Sequence, residues 1–588
     1  MASVTLEAAF KAHTDGNLDK AIHLYRKVAK EDPELPMAQR FLGSALAQTG
    51  QTQEALAVWM PLLQCPEHQR DVSFLRDVAR AGFETFSREA LLTVLRSCSN
   101  EISPDFEALG AAVGLLLKDD PPEQRNASSL SEDNPSIIDE LENIGGVDGL
   151  RSVFLSGASL GMKVLAAQRL LARERFCEVT ALMEQTNLNT EPSLGFLYLK
   201  ALNRLAAHEK INGFCAEHRH LFLGHPDWAY EYLLSLEMQG KVDDALTFIS
   251  SLTPKVSMAL AGDPDFLNLK GLLLKQAEQC QEAAEVFTTA MEIYQDHADS
   301  RINLKTLYLG QRRFLEALAL DDAYCSSQET YDLFFSKCEQ GLGFLEGPIV
   351  LDEGLGEQIL YRVIMNEFFA QHTNKIRFIC NPRIEPLFGG VTPVQAGTKE
   401  GALRGGTIAI GLLKLMLELK ICKREEKAFA AGGKYIGLSW KSQNPYIGSS
   451  KSIDFSLLVD EMVKFGCHQF ALLQPLSRDE KRCLEERGVD NYIYDPSLET
   501  DSLLTIRNIA RACDQVITIS NTVAHVCGMS GVSTTLIQRP GRARLWFWDG
   551  LRSAQTNRHM VYKGVRILDR HPSSHEAFFI KHALEHDD

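Results

Sequence analysis

No stretch of this chain approaches the roughly 20 consecutive apolar residues that a helix needs to span a bilayer. The first residues, MASVTLEAAFK, have neither the basic start nor the apolar run of a secretory leader, so none is expected. Basic charge is scarce: 61 Lys and Arg stand against 77 Asp and Glu, a net charge of −16. Nucleic-acid binding needs clustered Lys and Arg, so such a partner is disfavoured, as is docking on anionic lipid. The 13 cysteines lie singly between Cys65 and Cys527, with no CxxC pair and no metal-ligand spacing. Scattered thiols of odd number suit a reducing compartment, so a cytoplasmic location is expected, with no metal and no resident cofactor.

At 588 residues the chain exceeds what one core organises, and two or more domains are expected. Its 45% hydrophobic and 23% charged residues are ordinary for a soluble globular protein. The first positive feature is a repeat. Small and bulky residues recur 34 apart: Ala9 with Gly43, Gly16 with Gly50, Ala21 with Ala55, Tyr25 with Trp59, and Val28 with Leu62. Each unit has two helical stripes parted by a Gly turn, with Pro33 and Pro66 punctuating the ends. Small residues let paired helices approach, and Tyr25 or Trp59 fills the gap to the next pair. The period returns loosely over 233–324, through Gly240, Ala245, Gly271, Ala283, Phe287, Ala290, Tyr308 and Ala317. Between them, 75–225 is helical by pattern but degenerate, and an acidic, Pro- and Ser-rich stretch from Asp119 to Asn143 reads as a long loop.

This pattern resembles the tetratricopeptide repeat and implies an α-solenoid over 1–335, with an acidic loop near 119–143. Stacked hairpins make an extended surface suited to holding a polypeptide segment. Asn268 and Asn303 are candidates for contacting its backbone, too few to read as a ladder.

From Gly347 the period changes. Short apolar runs at 348–351, 375–380, 435–440, 470–474, 492–494, 515–519 and 534–537 alternate with helical stretches. Near-continuous apolar strands between helices imply parallel sheets covered on both faces. Two such sets imply two Rossmann-like lobes, 345–430 and 434–575, with ligand at the carboxyl ends of the strands.

Three segments then resemble the lipopolysaccharide heptosyltransferase family. GLGEQILYR at 354–362 is similar to the GLGD loop that opens its acceptor lobe. IGLSWKSQNPYIGSSKSI at 436–453 is similar to the stretch that opens its nucleotide lobe, and DQVITISNTVAHVCGMSGVSTTLI at 514–537 to its most specific motif, D-T-x-x-A-H. With the repeats in front, the chain resembles bacterial protein O-glycosyltransferases of the flagellin type. The resemblance spans about 345–570 and implies a GT-B fold. It further implies a metal-independent, inverting transfer, with the nucleotide-sugar as co-substrate.

The residues in these segments have chemistry to match. Ser520, Asn521 and Thr522 lead from a strand into a helix, where backbone N–H groups attract an anion, and His525 projects from the first turn. Asn521 stands where the family has Asp. Ser439, Lys441, Asn444 and Lys451 follow the first strand of the nucleotide lobe. A Lys there stabilises a departing nucleoside phosphate without a metal, Lys451 first and Lys441 second. Gln474 ends the next strand, in reach of a base or ribose. Gly354 and Gly356 permit a tight turn beside the donor sugar. Glu357, where the family has Asp, is the candidate base for the acceptor hydroxyl, with Asp352 and Glu353 as neighbours. An acid in a first helical turn also suits the helix dipole with no catalytic role. The run Arg539 to Trp548 offers three Arg to an acidic donor, or Trp side chains to pack the lobes.

The expected function is transfer of a sugar from a nucleotide donor to Ser or Thr of a protein acceptor, flagellin-like, held by the repeats. One alternative is a non-catalytic repeat adaptor with a degenerate sugar-nucleotide-binding domain. Another is a glycan-building glycosyltransferase, which the repeats argue against because a sugar acceptor needs no peptide groove.

Overall fold

The computed structural model describes the chain apart from residues 1, 34, 100–102, 118–134, 156–157, 187, 189–191, 296, 340–348, 370–377, 389–402, 419–434, 445–447, 465–468, 490–491, 497, 499–501, 540–543, 570–579, 582 and 584–588. Its contacts form two compact units, Met1–Tyr232 and Leu233–Asp588.

Helical hairpins make up the first unit and open the second, and one turn recurs through them. The second residue after the first helix takes a left-handed φ: Gly16, Gly50, Phe86, Glu174 and Ala206 in the first unit, Gly240, Glu278 and Arg312 in the second. The next N–H then reaches back five residues, as from Asn17 to the Ala12 carbonyl and from Gln279 to that of Leu274. This satisfies carbonyls that a helix end leaves without partners.

The paired helices close on glycine. Between Pro36–Gln48 and Thr52–Leu62, a Cβ on Gly43 would stand 2.1 Å from Trp59 Nε1. That nitrogen donates to the Arg40 carbonyl at 3.0 Å, and the ring meets Phe74 of the next helix edge-on. Phe287 lies on Gly271 in the same way in the second unit. The loop expected over 119–143 is not observed from Pro135 onward. Helical chain over Pro135–Leu155, broken by a kink at Gly146 (φ 54°, ψ −130°), begins inside it and buries Ile137, Ile138 and Leu141. Arg76 clamps Glu140 of this helix through two hydrogen bonds, of 2.7 and 2.5 Å. Residues 119–134 of the expected loop lie outside the described residues.

The second unit continues into two parallel sheets. In the first, β1 (Ile349–Val350) lies between β2 (Phe378–Ile379) and β3 (Leu403–Arg404). The second contains β4 (Tyr435–Ser439), β5 (Phe470–Leu472), β6 (Tyr492–Ile493), β7 (Cys513–Ile519), β8 (Thr534–Gln538) and β9 (Val565–Asp569). Their spatial order is β6-β5-β4-β7-β8-β9, every neighbouring pair parallel. That is the order of a doubly wound parallel sheet, whose direction of winding reverses between β4 and β7. Strands β3 and β9 are additions to those read from the sequence.

Helix Leu355–Phe369 joins the two sheets by packing on both Gly405–Glu418 and Thr522–Met529. One core runs from the last hairpin through both: Leu309, Phe314, Tyr331 and Phe334 pack with Ile349, Leu360, Ile364, Trp546, Trp548 and Tyr562. Arg312 Nε donates to the Gly550 carbonyl at 2.7 Å, and the Arg404 N–H to Tyr331 Oη at 2.9 Å. The switch from helices to strands near 345 is therefore a change of element within one compact unit. No described helix is long and apolar enough to cross a membrane.

The glycine contacts predict opposite effects at two positions in the first unit. Gly43→Val overpacks the Trp59 contact and should cost about 1–3 kcal/mol. Gly213 lies inside helix His208–Glu217, and a Cβ there would meet nothing within 4 Å. Gly213→Ala should stabilise by roughly 0.5–1 kcal/mol. Urea unfolding followed by far-ultraviolet circular dichroism compares the two, and equal midpoints would contradict the packing described.

Candidate functional site

Strands β4 and β7 end side by side, with Ser439 opposite Thr518. The chain segments that leave them are tied together by one amide. Asn521 Nδ2 donates to Ser439 Oγ at 2.8 Å and to the Lys441 carbonyl at 3.2 Å. Its Oδ1 accepts from the Ala524 N–H at 3.3 Å. Asn521, rather than Thr522, therefore caps helix Thr522–Met529. An aspartate could accept from Ala524 but could not donate to the Lys441 carbonyl, which explains the amide here. Ser439 is buried and does not line the cleft; it holds Asn521 in place. Gln474 is similarly engaged. Its Oε1 accepts from the Trp440 and Lys441 N–H groups at 2.8 and 3.0 Å, and its Nε2 donates to the Lys441 carbonyl at 2.6 Å. It borders the cleft but shapes the loop after β4, with its carbonyl oxygen accepting two backbone N–H groups and one of its two amide hydrogens donated.

A cleft of about 430 Å³ opens at this reversal point. It brings together Gly354, Gly356, Glu357, Lys441, Asn444, Lys451, Gln474, Ser520, Asn521, Thr522 and His525. Asp352 is not among them, because its carboxylate pairs with Arg404 at the surface. Glu353 also turns away, accepting from the Gly406 N–H at 3.0 Å at the start of helix Gly405–Glu418. Arg383 and Phe547 line the cleft and were not read from the sequence. The only sequence signal for Arg383 is the turn Asn381-Pro382-Arg383 directly after an apolar run.

The two candidate lysines differ sharply. Lys441 Nζ pairs with Glu480 at 3.0 Å, and the same carboxylate accepts from Trp440 Nε1 at 2.6 Å. Lys451 is buried, with no hydrogen-bond or ion-pair partner among the described residues. Burial lowers its pKa to about 8, against the opposing pull of Glu357. The loop carrying it is folded back by the Ile453 N–H on the Trp440 carbonyl at 2.8 Å and the Ser442 N–H on Ser452 Oγ at 3.0 Å.

Glu357 is the third residue of helix Leu355–Phe369. Burial raises its pKa, while the Gly354 N–H and the charges of Lys451 and Lys305 work the other way. The bond to Gly354 is half of a capping box. Glu357 also borders a second cavity, of about 760 Å³, lined by Asn268, Lys275, Asn303 and Thr306 of the repeat helices and by Arg544, Trp546 and Phe547. There Asn303 Nδ2 donates to Asn268 Oδ1 at 2.9 Å, so the two asparagines are bonded to each other.

His525 is buried among the rings of Phe547, Trp548 and Tyr562. That burial holds its pKa well below the usual imidazole range, so it is neutral at neutral pH. Trp548 Nε1 donates to Ser520 Oγ at 2.9 Å, and Trp546 and Trp548 pack inside the core, which satisfies the lobe-packing reading of that run. Arg544 is paired with Asp549 at 2.7 Å. Neither it nor Arg539 lines the 430 Å³ cleft, and Arg542 lies outside the described residues.

The difference between the lysines predicts where an anion binds. Pyrophosphate affinity, measured by calorimetry, should fall roughly 10- to 150-fold in Lys451→Met, the worth of a charge-assisted hydrogen bond. Lys441→Met should change it little. Because protonated Lys451 is the binding form, affinity should decline as pH rises past about 8. Equal losses in the two variants would contradict this assignment.

A family described as Tetratricopeptide repeat matches residues 14–58. The matched segment runs from the first left-handed turn into the second hairpin, and it supports tetratricopeptide repeats there, consistent with a repeat-mediated protein interaction. No curated protein matches the chain.

Proposed function

We propose that the second unit is a GT-B glycosyltransferase that moves a sugar from a nucleotide donor to a Ser or Thr hydroxyl of a protein acceptor. One observation carries this reading. Glu357 stands where the cleft at the strand ends meets the cavity lined by repeat helices, with the buried amine of Lys451 in the same cleft. A donor in the first space and an acceptor segment along the second would meet at that carboxylate. A flagellin-like protein is the candidate acceptor. A cytoplasmic site of action fits a nucleotide-sugar donor and the unpaired described cysteines.

In this reading the acceptor oxygen attacks the anomeric carbon as Glu357 takes its proton. The bond from that carbon to the phosphate oxygen breaks, and the electron pair leaves with the nucleoside diphosphate. Lys451, the first N–H groups of helix Thr522–Met529 and His525 receive the developing charge. Glu357 must be ionised and Lys451 protonated. Activity is therefore lost as pH falls through the raised pKa of Glu357, and again as pH rises through about 8. The kcat/KM profile should be a bell, and Lys451→Arg should move its alkaline limb upward.

The bond from the Gly354 N–H to Glu357 serves helix capping by itself, and it favours a second reading, a repeat adaptor with a degenerate sugar-nucleotide-binding domain. Glu357→Gln separates the two. Under the enzyme reading it loses about 10²–10⁴-fold in transfer rate and keeps nucleotide affinity. Donor hydrolysis or transfer that is undetectable in the wild type, with nucleotide still bound, would establish the adaptor.

A further inference from the structure

Behind His525 lies a chain of two buried groups that the proposed reaction does not use. His559 Nδ1 accepts from the Tyr562 N–H at 2.9 Å, and its Nε2 lies 3.0 Å from the Phe547 carbonyl. A backbone N–H can only donate and a carbonyl can only accept, so the proton of His559 sits on Nε2. The His559 and Tyr562 rings stack at 4.9 Å. Tyr562 is fully buried, and its hydroxyl has one partner among the described residues, His525 Nδ1 at 3.2 Å. If His525 carried its proton on Nδ1, the phenol proton would be left without an acceptor. If Tyr562 donates, both groups are satisfied and the imidazole proton lies on Nε2.

That far edge of the ring reaches the cleft. A Cβ on Gly356 would stand 2.5 Å from His525 Cδ2 and 2.7 Å from Nε2, so the glycine keeps this edge uncovered by a side chain. Gly528, one turn along the helix of His525, makes room instead for the Tyr562 ring, which a Cβ there would meet at 2.5 Å. We infer that His559 and Tyr562 are positioning residues that fix His525 as its Nε2–H tautomer, aiming a neutral hydrogen-bond donor at the phosphate-binding end of the cleft. The directing effect on a phosphate rests on the function proposed above; the tautomer does not. Burial above all, and the neighbouring His559 and Lys451, disfavour a second proton on the ring, while Tyr562, the titratable group bonded to it, stays a neutral phenol. The donor therefore remains a neutral N–H throughout the neutral range.

The test uses the full chain with ¹⁵N-labelled histidine, the His525 ring signals being assigned by their loss in His525→Gln. Long-range ¹⁵N–¹H correlation on the wild type reads the tautomer directly. The inference expects an Nε2–H ring in the wild type and a mixture of tautomers in Tyr562→Phe, which removes only the hydroxyl. It also expects pyrophosphate affinity to weaken about 2- to 12-fold in Tyr562→Phe, the range for one neutral hydrogen bond. A wild-type ring protonated on Nδ1, or a tautomer unchanged in Tyr562→Phe, overturns the inference. If the tautomers behave as expected and pyrophosphate does not bind the wild type, the positioning role stands and the phosphate reading falls.

Discussion

The cleft depends on the close approach of two helices at Gly356. Helix Leu355–Phe369 belongs to the first sheet and helix Thr522–Met529 to the second, and they pack together with His525 against the glycine. Any side chain there would displace the imidazole or part the helices. Because they meet near their starts, the positive dipole ends of two helices border one space. Glu357 and Lys451 enter the same space from opposite sheets. The glycine thus converts packing between two sheets into electrostatics at one point.

A second constraint acts on the floor of the cleft. The loops after β4 and β7 are joined by Asn521, and the loop after β4 is further clasped by Gln474. Three residues expected to touch a ligand are occupied in this work: Ser439, Gln474 and the Asn521 side chain. Their bonds hold the backbone of residues 439–441 in position. Fixed dipoles of this kind need not reorganise when charge develops beside them. Lys451 adds an amine that burial makes less basic and that a bound anion would recharge.

Much of this was legible in the sequence, and the exceptions have physical causes. Gly16 and Gly50 mark the first two turns, but Phe86, Glu174, Ala206, Glu278 and Arg312 adopt the same left-handed φ without glycine. The recurring helix-end bonds hold them there, so the later repeats lose their clearest mark. Strand β9 alternates buried and partly exposed residues as an edge strand does, and it was missed where continuous apolar runs were sought. Asp352 and Glu357 are five residues apart, yet the turn between them sends one to a surface ion pair and the other into the cleft. Lys441 stood second to Lys451 as a candidate, and its engagement was not legible because its partner, Glu480, lies 39 positions away. Local pattern located the cleft; long-range pairing decided which of its charges are engaged.

We propose that the start of helix Thr522–Met529 and Lys451 together hold a phosphate. Diffraction from crystals grown with a nucleoside diphosphate is the direct test. Phosphate oxygens are expected at hydrogen-bond distance, about 2.7–3.2 Å, from Lys451 Nζ and from the first N–H groups of that helix. A nucleotide bound elsewhere, with Lys451 closed onto Glu357, would contradict it.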